Sequence, residues 1–412
     1  MSELRTRLAS LTPDQRARLR ARLGTPQPTG VRAEGAAEPP ARSGTVAAGP
    51  RGDHLPAGPP AFSLFFFASD DSDAAGAYEF VLDCARFADR NGFRAVWMPE
   101  RHFAPFGGPY PEPSVLAAAV AARTERVRVR AGSVVLPLHD PLLVAERWAM
   151  VDNLSHGRVD ISLASGWHAH DFSLSPQTYA NRKEVLAERV AELRTLWAGG
   201  TVTRDDGNGK PVGLTSYPRP VQRELNLWLT SSANPGTWRT AARLGTHVLT
   251  ALLEQSVAEV AEKSALYRAA RAEHALDPQA GEVTLMLHTF IGEDEAAVRE
   301  ISRPALRRYL RSHIDLFERL VRSQGIDIDL DAVTESDKQA LVEIALERYC
   351  TVSGLFGTPE TALGRVRELQ SAGVTEIGCL IDFGIGRTEV LDGLEQLARL
   401  KNRVAEQAEA AS

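Results

Sequence analysis

The sequence predicts an α/β chain organised as a (β/α)8 (TIM) barrel, and three observations point to it. Short apolar runs of strand length recur from residue 61 onward, each followed by a longer segment of helical pattern. Eight such pairs span about 340 residues, within the usual size of that architecture. Several of the runs stop on polar or hydroxylic residues, as strands do where they open into a barrel mouth.

The elements follow in order. The first strand is expected over 63–69 (SLFFFAS), with a helix at 77–91. The second covers 95–100 and leads through a Pro-rich loop (104–113) into a helix near 114–123. A long third strand at 127–138 precedes a helix at 141–154. The fourth, VDISLAS at 159–165, is followed by a polar loop and a helix over 182–198. The fifth (225–230) pairs with a helix at 236–244, and the sixth (247–252) with one at 256–274. VTLMLHTFI at 283–291 is the seventh; EIGCLIDF at 376–383 is the eighth, closed by a helix at 388–404. Two insertions interrupt the alternation, 199–222 and a helical one at 293–372 between strands seven and eight. The second could extend over the mouth or build a subunit interface.

The barrel domain is assigned to 61–406, and two further units precede it. Residues 1–24 carry a helix start, with Thr12 as N-cap, Pro13 at the first helical position and Gln15 closing a capping box. Six arginines against Glu3 and Asp14 make this short helical segment basic, a docking-like element. Residues 25–60 hold 8 Pro, 6 Gly and 7 Ala and read as a disordered linker. As a flexible coil it would reach roughly 30–36 Å.

A net charge of −6, from 47 basic and 53 acidic residues, argues against a nucleic-acid partner. Cys84, Cys350 and Cys379 are far apart and form no C-x-x-C, so neither a disulfide framework nor a structural zinc is expected. No apolar leader and no 18-residue apolar run occur, which predicts a cytoplasmic chain without a membrane partner.

Chemistry is expected at the strand ends. Glu100, Arg101 and His102 follow the second strand, where strand burial gives no reason for an acid, a guanidinium and an imidazole together. The alternative is an ion pair tying strand end to loop. Ser69, Ser133, Gly166 and Thr230 are small or hydroxylic and suit a flat ligand across the mouth. Ser231, Ser232, Ala233, Asn234 and Gly236 lead straight into a helix, where exposed amides and the helix dipole favour a phosphate. Tyr179 and Arg182 could reach the same phosphate, unless Arg182 merely faces water in its helix. His168 and His170 form an H-x-H, but with no accompanying carboxylate pattern no metal is expected. His168 is better used as a hydrogen-bond donor or proton shuttle, and His288 reads as a core histidine.

Five segments in fixed order carry a resemblance: PERHF (99–103), GSVVLPLHDP (132–141), DNLSHGRVDISLASGW (152–167), SSANPGTWRTAARLGTHVLTAL (231–252) and FGTPETALGRVRELQSAGV (356–374). Over 62–400 the chain resembles the bacterial luciferase-like flavin monooxygenases, above all members found in nonribosomal peptide and polyketide gene clusters. LTPDQRARLRARL is also similar to the helix that opens many modules of those assembly lines. The resemblance implies reduced FMN bound without covalent attachment at the C-terminal mouth. Ser231, Ser232 and Ala233, with Tyr179, would hold the phosphate; Ser69, Ser133 and Gly166 would line the isoalloxazine. Glu100 and His102 match the acid and second histidine of the family's E-H-H signature, while Arg101 departs from it. An arginine there could bind a substrate anion or stabilise the anionic flavin.

The implied activity is an FMNH2- and O2-dependent monooxygenase working through a flavin C4a-hydroperoxide. Its substrate would be an organic intermediate of natural-product biosynthesis, either free or tethered to a carrier protein. His102 would manage the proton and Glu100 orient it; the insertion 293–372 and loop 104–113 are candidate lids. No G-x-G-x-x-G follows a strand, so FMNH2 is expected from a separate flavin reductase. A homodimer is expected, with a carrier protein or synthase module docking through residues 1–24. The rival readings are a deazaflavin-dependent dehydrogenase of the same fold, a metal-dependent hydrolase using His168 and His170, and a non-catalytic interaction protein.

Overall fold

The computed structural model describes residues 58–67, 74–104, 109–253, 255–311 and 335–411. The expected docking segment, nearly all of the linker and Ser69 lie outside the described residues.

Apolar runs buried on both faces become strands, and the capped segments between them become helices. The first half comprises β1 (Ala61–Phe65), α1 (Ala74–Arg90), β2 (Ala95–Met98), α2 (Pro113–Ala121), β3 (Arg128–Val135), α3 (Pro141–Ser155), β4 (Val159–Ala164) and α4 (Arg182–Trp197). After a hairpin of β5 (Val202–Asp205) and β6 (Pro211–Leu214) come β7 (Leu227–Thr230), α5 (Pro235–Arg243), β8 (His247–Ala251), α6 (Val257–Glu273) and β9 (Val283–Ile291). The chain continues through α7 (Glu295–Arg311), α8 (Glu335–Arg348), β10 (Gly354–Gly357), α9 (Pro359–Ser371), β11 (Glu376–Leu380) and α10 (Arg387–Ala411).

Eight parallel strands close into a barrel in the order β1, β2, β3, β4, β7, β8, β9, β11. The expected (β/α)8 architecture is therefore present. Side-chain alternation splits each strand between two cores. On β2, Val96 and Met98 face the helical layer, while Ala95 and Trp97 join Phe65, Trp228, Leu249 and Leu380 inside the barrel.

Strands end earlier than their apolar runs suggest. β1 stops at Phe65, β2 at Met98, and β3 at Val135 ahead of a 3-10 turn, Leu136–Leu138. Pairing partners set these limits, not apolarity: β1 and β2 share only the pairs Leu64↔Val96 and Phe65↔Trp97. The insertion 199–222 contains the antiparallel β5–β6 hairpin, whose turn is held by Asp206 accepting from the Asn208 and Lys210 amides. The insertion 293–372 contains helices, as expected, and also β10, which the sequence reading lacks. β9 runs past the barrel, and its last residues, His288–Ile291, find ladder partners in β10.

The barrel floor holds a charge network that the sequence reading also lacks. Arg130 is fully buried; Nε donates to Asp160 at 2.6 Å and Nη1 to both oxygens of Glu376 at 2.8 Å. Its guanidinium lies 4.8 Å from the Trp97 ring and 4.4 Å from the Trp228 ring. Arg128 adds a second cation to Asp160, and Ser63 donates to Glu376. The register explains this grouping, since Arg130 pairs with Trp97 on one side and Asp160 on the other.

Candidate active site

Among the described residues, Ser133 lies within β3 near its C-terminal end, Thr230 ends β7, Arg182 opens α4, and Glu100, Arg101, His102, Gly166, His168, Tyr179, Ser231, Ser232 and Ala233 lie on the segments that follow β2, β4 and β7. Parallel strands put all four ends at the same mouth of the barrel.

Glu100 follows β2 after Pro99, and its side chain is completely shielded from solvent. Oε2 accepts from the Val135 amide at 2.8 Å. Oε1 accepts from two imidazoles, Nε2 of His102 at 2.9 Å and Nε2 of His139 at 2.7 Å. Burial pushes the Glu100 carboxyl up, but the hydrogen bonds from both histidines outweigh it and hold the group below the usual carboxylate range. His139 is shifted the other way. Burial lowers it, and the Glu100 bond and charge overcome that to raise it.

Sequence reasoning missed His139. The signal was present in GSVVLPLHDP, where it ends the turn after β3, just before the Asp140 N-cap that accepts the Leu142 amide. The backbone around it is fixed from outside. Arg189 donates to the carbonyls of Leu136, Pro137 and His139 at 3.1, 2.9 and 2.8 Å, and the Thr178 hydroxyl to Pro137 at 2.8 Å. Glu100, His102 and His139 have ligand atoms within 4.8 Å of one another. Both nitrogens approach one oxygen more closely than the roughly 3.3 Å that tetrahedral coordination at ~2.0 Å would set between donors. The spacing is that of hydrogen bonds.

Arg101 is engaged within the protein. Its buried guanidinium meets Asp171 at 3.3 Å and lies 4.8 Å from the Trp167 ring. An ion pair tying strand end to loop, the alternative weighed for this stretch, is what Arg101 forms. Asp171 was not singled out from the sequence; its other oxygen lies 3.3 Å from Nδ1 of His168. Burial and the Arg101 charge lower the His168 pKa, so its imidazole is neutral at pH 7. His168 and His170 pack edge to face at 5.0 Å.

A cluster of hydroxyls lies between β3, β4 and β7. Ser133 contacts Ser162 at 3.2 Å and forms a short hydrogen bond with Thr230, which lies 2.8 Å from Ser162. Gly132 lets this stretch pack tightly, since a Cβ there would sit 2.7 Å from the Phe65 ring. Gly166 has φ +77°, and a Cβ there would lie 2.8 Å from both Phe172 and Val135. Arg182 does not simply face water. It donates to the carbonyls of Gly166 (3.2 Å) and Tyr179 (2.9 Å) and stacks 4.8 Å from the Tyr179 ring. Tyr179 in turn packs on Phe172.

Beyond β7, the Ser231 amide donates to Leu249 at 2.9 Å, which anchors the turn into α5. Asn234 caps the helix by accepting the Gly236 amide at 2.8 Å. Ser231 is buried, Ser232 exposed and Ala233 half-buried. On the opposite wall, Asp382 accepts the Phe67 amide on both oxygens and the Tyr110 hydroxyl at 3.2 Å. His288 is buried among Tyr309, Tyr349 and Phe383, with ring centroids 4.7, 4.8 and 5.4 Å away.

Residues 61–376 match the family model described as luciferase-like monooxygenase. The oxygenase component of the flavin-dependent trigonelline monooxygenase from Acinetobacter baylyi is 28% identical over 344 residues, 82% of this chain and 93% of that protein. Among solved structures, monooxygenase RslO1 from Streptomyces bottropensis has a TM-score of 0.67 at 24% identity, covering 82% of this chain and 98% of that one. The oxygenating constituent of 3,6-diketocamphane monooxygenase from Pseudomonas putida, solved with FMN, also gives 0.67, at 14% identity, covering 84% and 98%.

Proposed function

The chain belongs to the luciferase-like monooxygenase family and is an oxidoreductase of that flavin-dependent kind, and on this premise we propose that it is the oxygenase half of a two-component system. It receives FMNH2 from a separate reductase and uses O2 to oxygenate an organic, carrier-tethered intermediate of natural-product biosynthesis. The observation that carries the reading is the Glu100–His102 hydrogen bond at the barrel mouth, where the fold puts chemistry. A relative named as an oxygenase component supports the separate reductase.

The residues fit a flat ring with a phosphate tail. Gly166 keeps its backbone free of a side chain beside Phe172 and Val135, the Ser133 and Thr230 hydroxyls lie together at the ends of β3 and β7, and the Ser231–Asn234 turn opens a helix N-terminus. Ser133 and Gly166, with Ser69, would lie against the ring. Ser231, Ser232, Ala233, Tyr179 and Arg182 would hold the phosphate. When bound, reduced FMN supplies two electrons and the position at which dioxygen is activated.

The chain's own groups do the rest. Glu100 holds Nε2–H of His102, which leaves Nδ1 to take up and return a proton. His168, neutral and beside Asp171, is placed to relay a second one. The Arg101–Asp171 pair pins the 166–174 segment to the end of β2, which helps exclude water. Residues 1–24 serve as the docking element and 25–60 as its tether. Among the described residues no helix is long and apolar enough to cross a membrane.

Titration of the full-length protein with FMNH2 under argon, then mixing with oxygenated buffer, tests the core reading. Saturable binding and oxygen uptake are expected, with no NADH oxidation by the protein and FMN alone. Binding of a reduced 5-deazaflavin but not of FMNH2, without oxygen uptake, would replace this reading with hydride transfer. Deleting residues 1–60 should lower turnover of carrier-bound substrate while FMNH2 affinity is retained; unchanged turnover removes the docking element.

A further inference from the structure

Glu100 presents a buried carboxylate to two imidazoles at once, and a carboxylate shielded from water needs a counter-charge close by. Arg101, adjacent in sequence, is turned toward Asp171 and Trp167. The charge must therefore come from one of the two histidines on Oε1, and their surroundings differ. His139 sits in a turn whose carbonyls are held by Arg189 and Thr178, so its ring is delivered to Glu100 by a fixed backbone. A second carboxylate, Glu112, acts on it from the start of α2, offset by Arg147 of α3, which is ion-paired to Glu112 at 2.9 Å. Asp140, next in sequence, is engaged as the α3 cap and lies 3.8 Å from Arg204. His102 has the Phe103 ring as its neighbour, 5.7 Å away.

We propose that His139 is a positioning residue for the reaction at His102: sharing Oε1 of Glu100, it carries the positive charge that balances the buried carboxylate and leaves His102 neutral, with Nε2–H engaged and Nδ1 able to accept a proton. This rests on the reading of His102 as the proton-handling group. The raised titration of His139 runs in the same direction. A chemical consequence follows. A proton taken up at Nδ1 creates a second imidazolium on the same carboxylate oxygen, which like-charge repulsion disfavours. The proton is then readily given back, as a shuttle requires.

The test uses full-length protein labelled with 15N-histidine, the two rings being assigned through His102→Gln and His139→Gln. At pH 7 the wild type should show His102 as the neutral Nε2–H tautomer and His139 protonated. In His139→Gln the new side chain still donates a hydrogen bond but carries no charge. The imidazolium fraction of His102 should then rise about fivefold, the change expected for a tautomer and charge role and not for a packing role. The acidic limb of the pH–rate profile for FMNH2-dependent oxygen uptake should move to higher pH, with FMNH2 affinity held within about twofold. In a Glu100→Gln background, His139→Gln should change His102 no further. An unchanged His102 spectrum in folded His139→Gln, or a neutral His139 in the wild type, overturns the proposal. Because the spectra need no flavin, a failure to bind FMNH2 would defeat the functional reading and leave this result standing.

Discussion

At the floor of the barrel, Arg130 lies fully buried against two tryptophan rings and bonds to Asp160 and Glu376, themselves fully buried. At the mouth, Glu100 is just as shielded, yet its partners are imidazoles that are themselves partly exposed. Both regions bury carboxylates beside nitrogen donors. Arginine cannot release its proton near neutral pH, so the floor is a permanent ionic brace. Histidine can, so the mouth is a place where charge moves. Position along the strand, and not residue class alone, separates a structural network from a chemical one.

The largest expected effect lies at the floor. Arg130→Met leaves Asp160 to Arg128 and Glu376 to Arg94 alone and should cost about 3 kcal/mol in urea unfolding, the lower end of what removing one side of a buried ion pair costs. A loss below ~1 kcal/mol would show that the network is dispensable. At the mouth the effect should fall on rate. Glu100→Gln is expected to lower FMNH2-dependent turnover about 100-fold, the usual scale for losing acid–base assistance, with a far smaller change in stability. Equal loss of both would erase the distinction between the regions.

The contrast also predicts how the fold responds to acid. His247 begins β8 at the floor and accepts the Glu282 amide on Nδ1 at 3.0 Å. Burial, aided by Arg271, pushes its imidazole from 6.5 down to about 3. Above pH 6.5 it is neutral whether folded or unfolded and contributes nothing. As pH falls below 6.5 the unfolded chain takes up a proton that the folded chain refuses, so stability declines toward pH 3. Between pH 6.5 and 5 the loss should be about 2 kcal/mol, and His247→Gln should flatten that slope in pH-dependent denaturation. The smallest effect belongs to the exposed Arg307–Glu343 pair on α7 and α8. Arg307→Ala should change stability by less than about 0.5 kcal/mol and leave flavin binding alone.

Much of this was legible in the chain itself. Eight apolar runs and the capped segments between them, such as Ser256 with Glu259 before α6, specify the barrel locally. PERHF exposed Glu100 and His102 because polar groups interrupt a buried run. β10 was not legible, because its reason for being a strand is the overhanging end of β9. The floor network could have been glimpsed in the alternation of Val127, Arg128, Val129 and Arg130, which puts both arginines on one strand face. Its partners Asp160 and Glu376 come from distant strands.

The sequence by itself determined the fold class, the order of the strands and which strand ends carry reactive side chains, since these depend on periodicity and local capping. Only the tertiary structure decided who pairs with whom. His139 reaches Glu100 because β2 and β3 run side by side with parallel ends, and Arg101 turns to Asp171 because the loop after β4 folds back over the end of β2. Such contacts join residues tens of positions apart, and strand register, which no local pattern encodes, sets their distances.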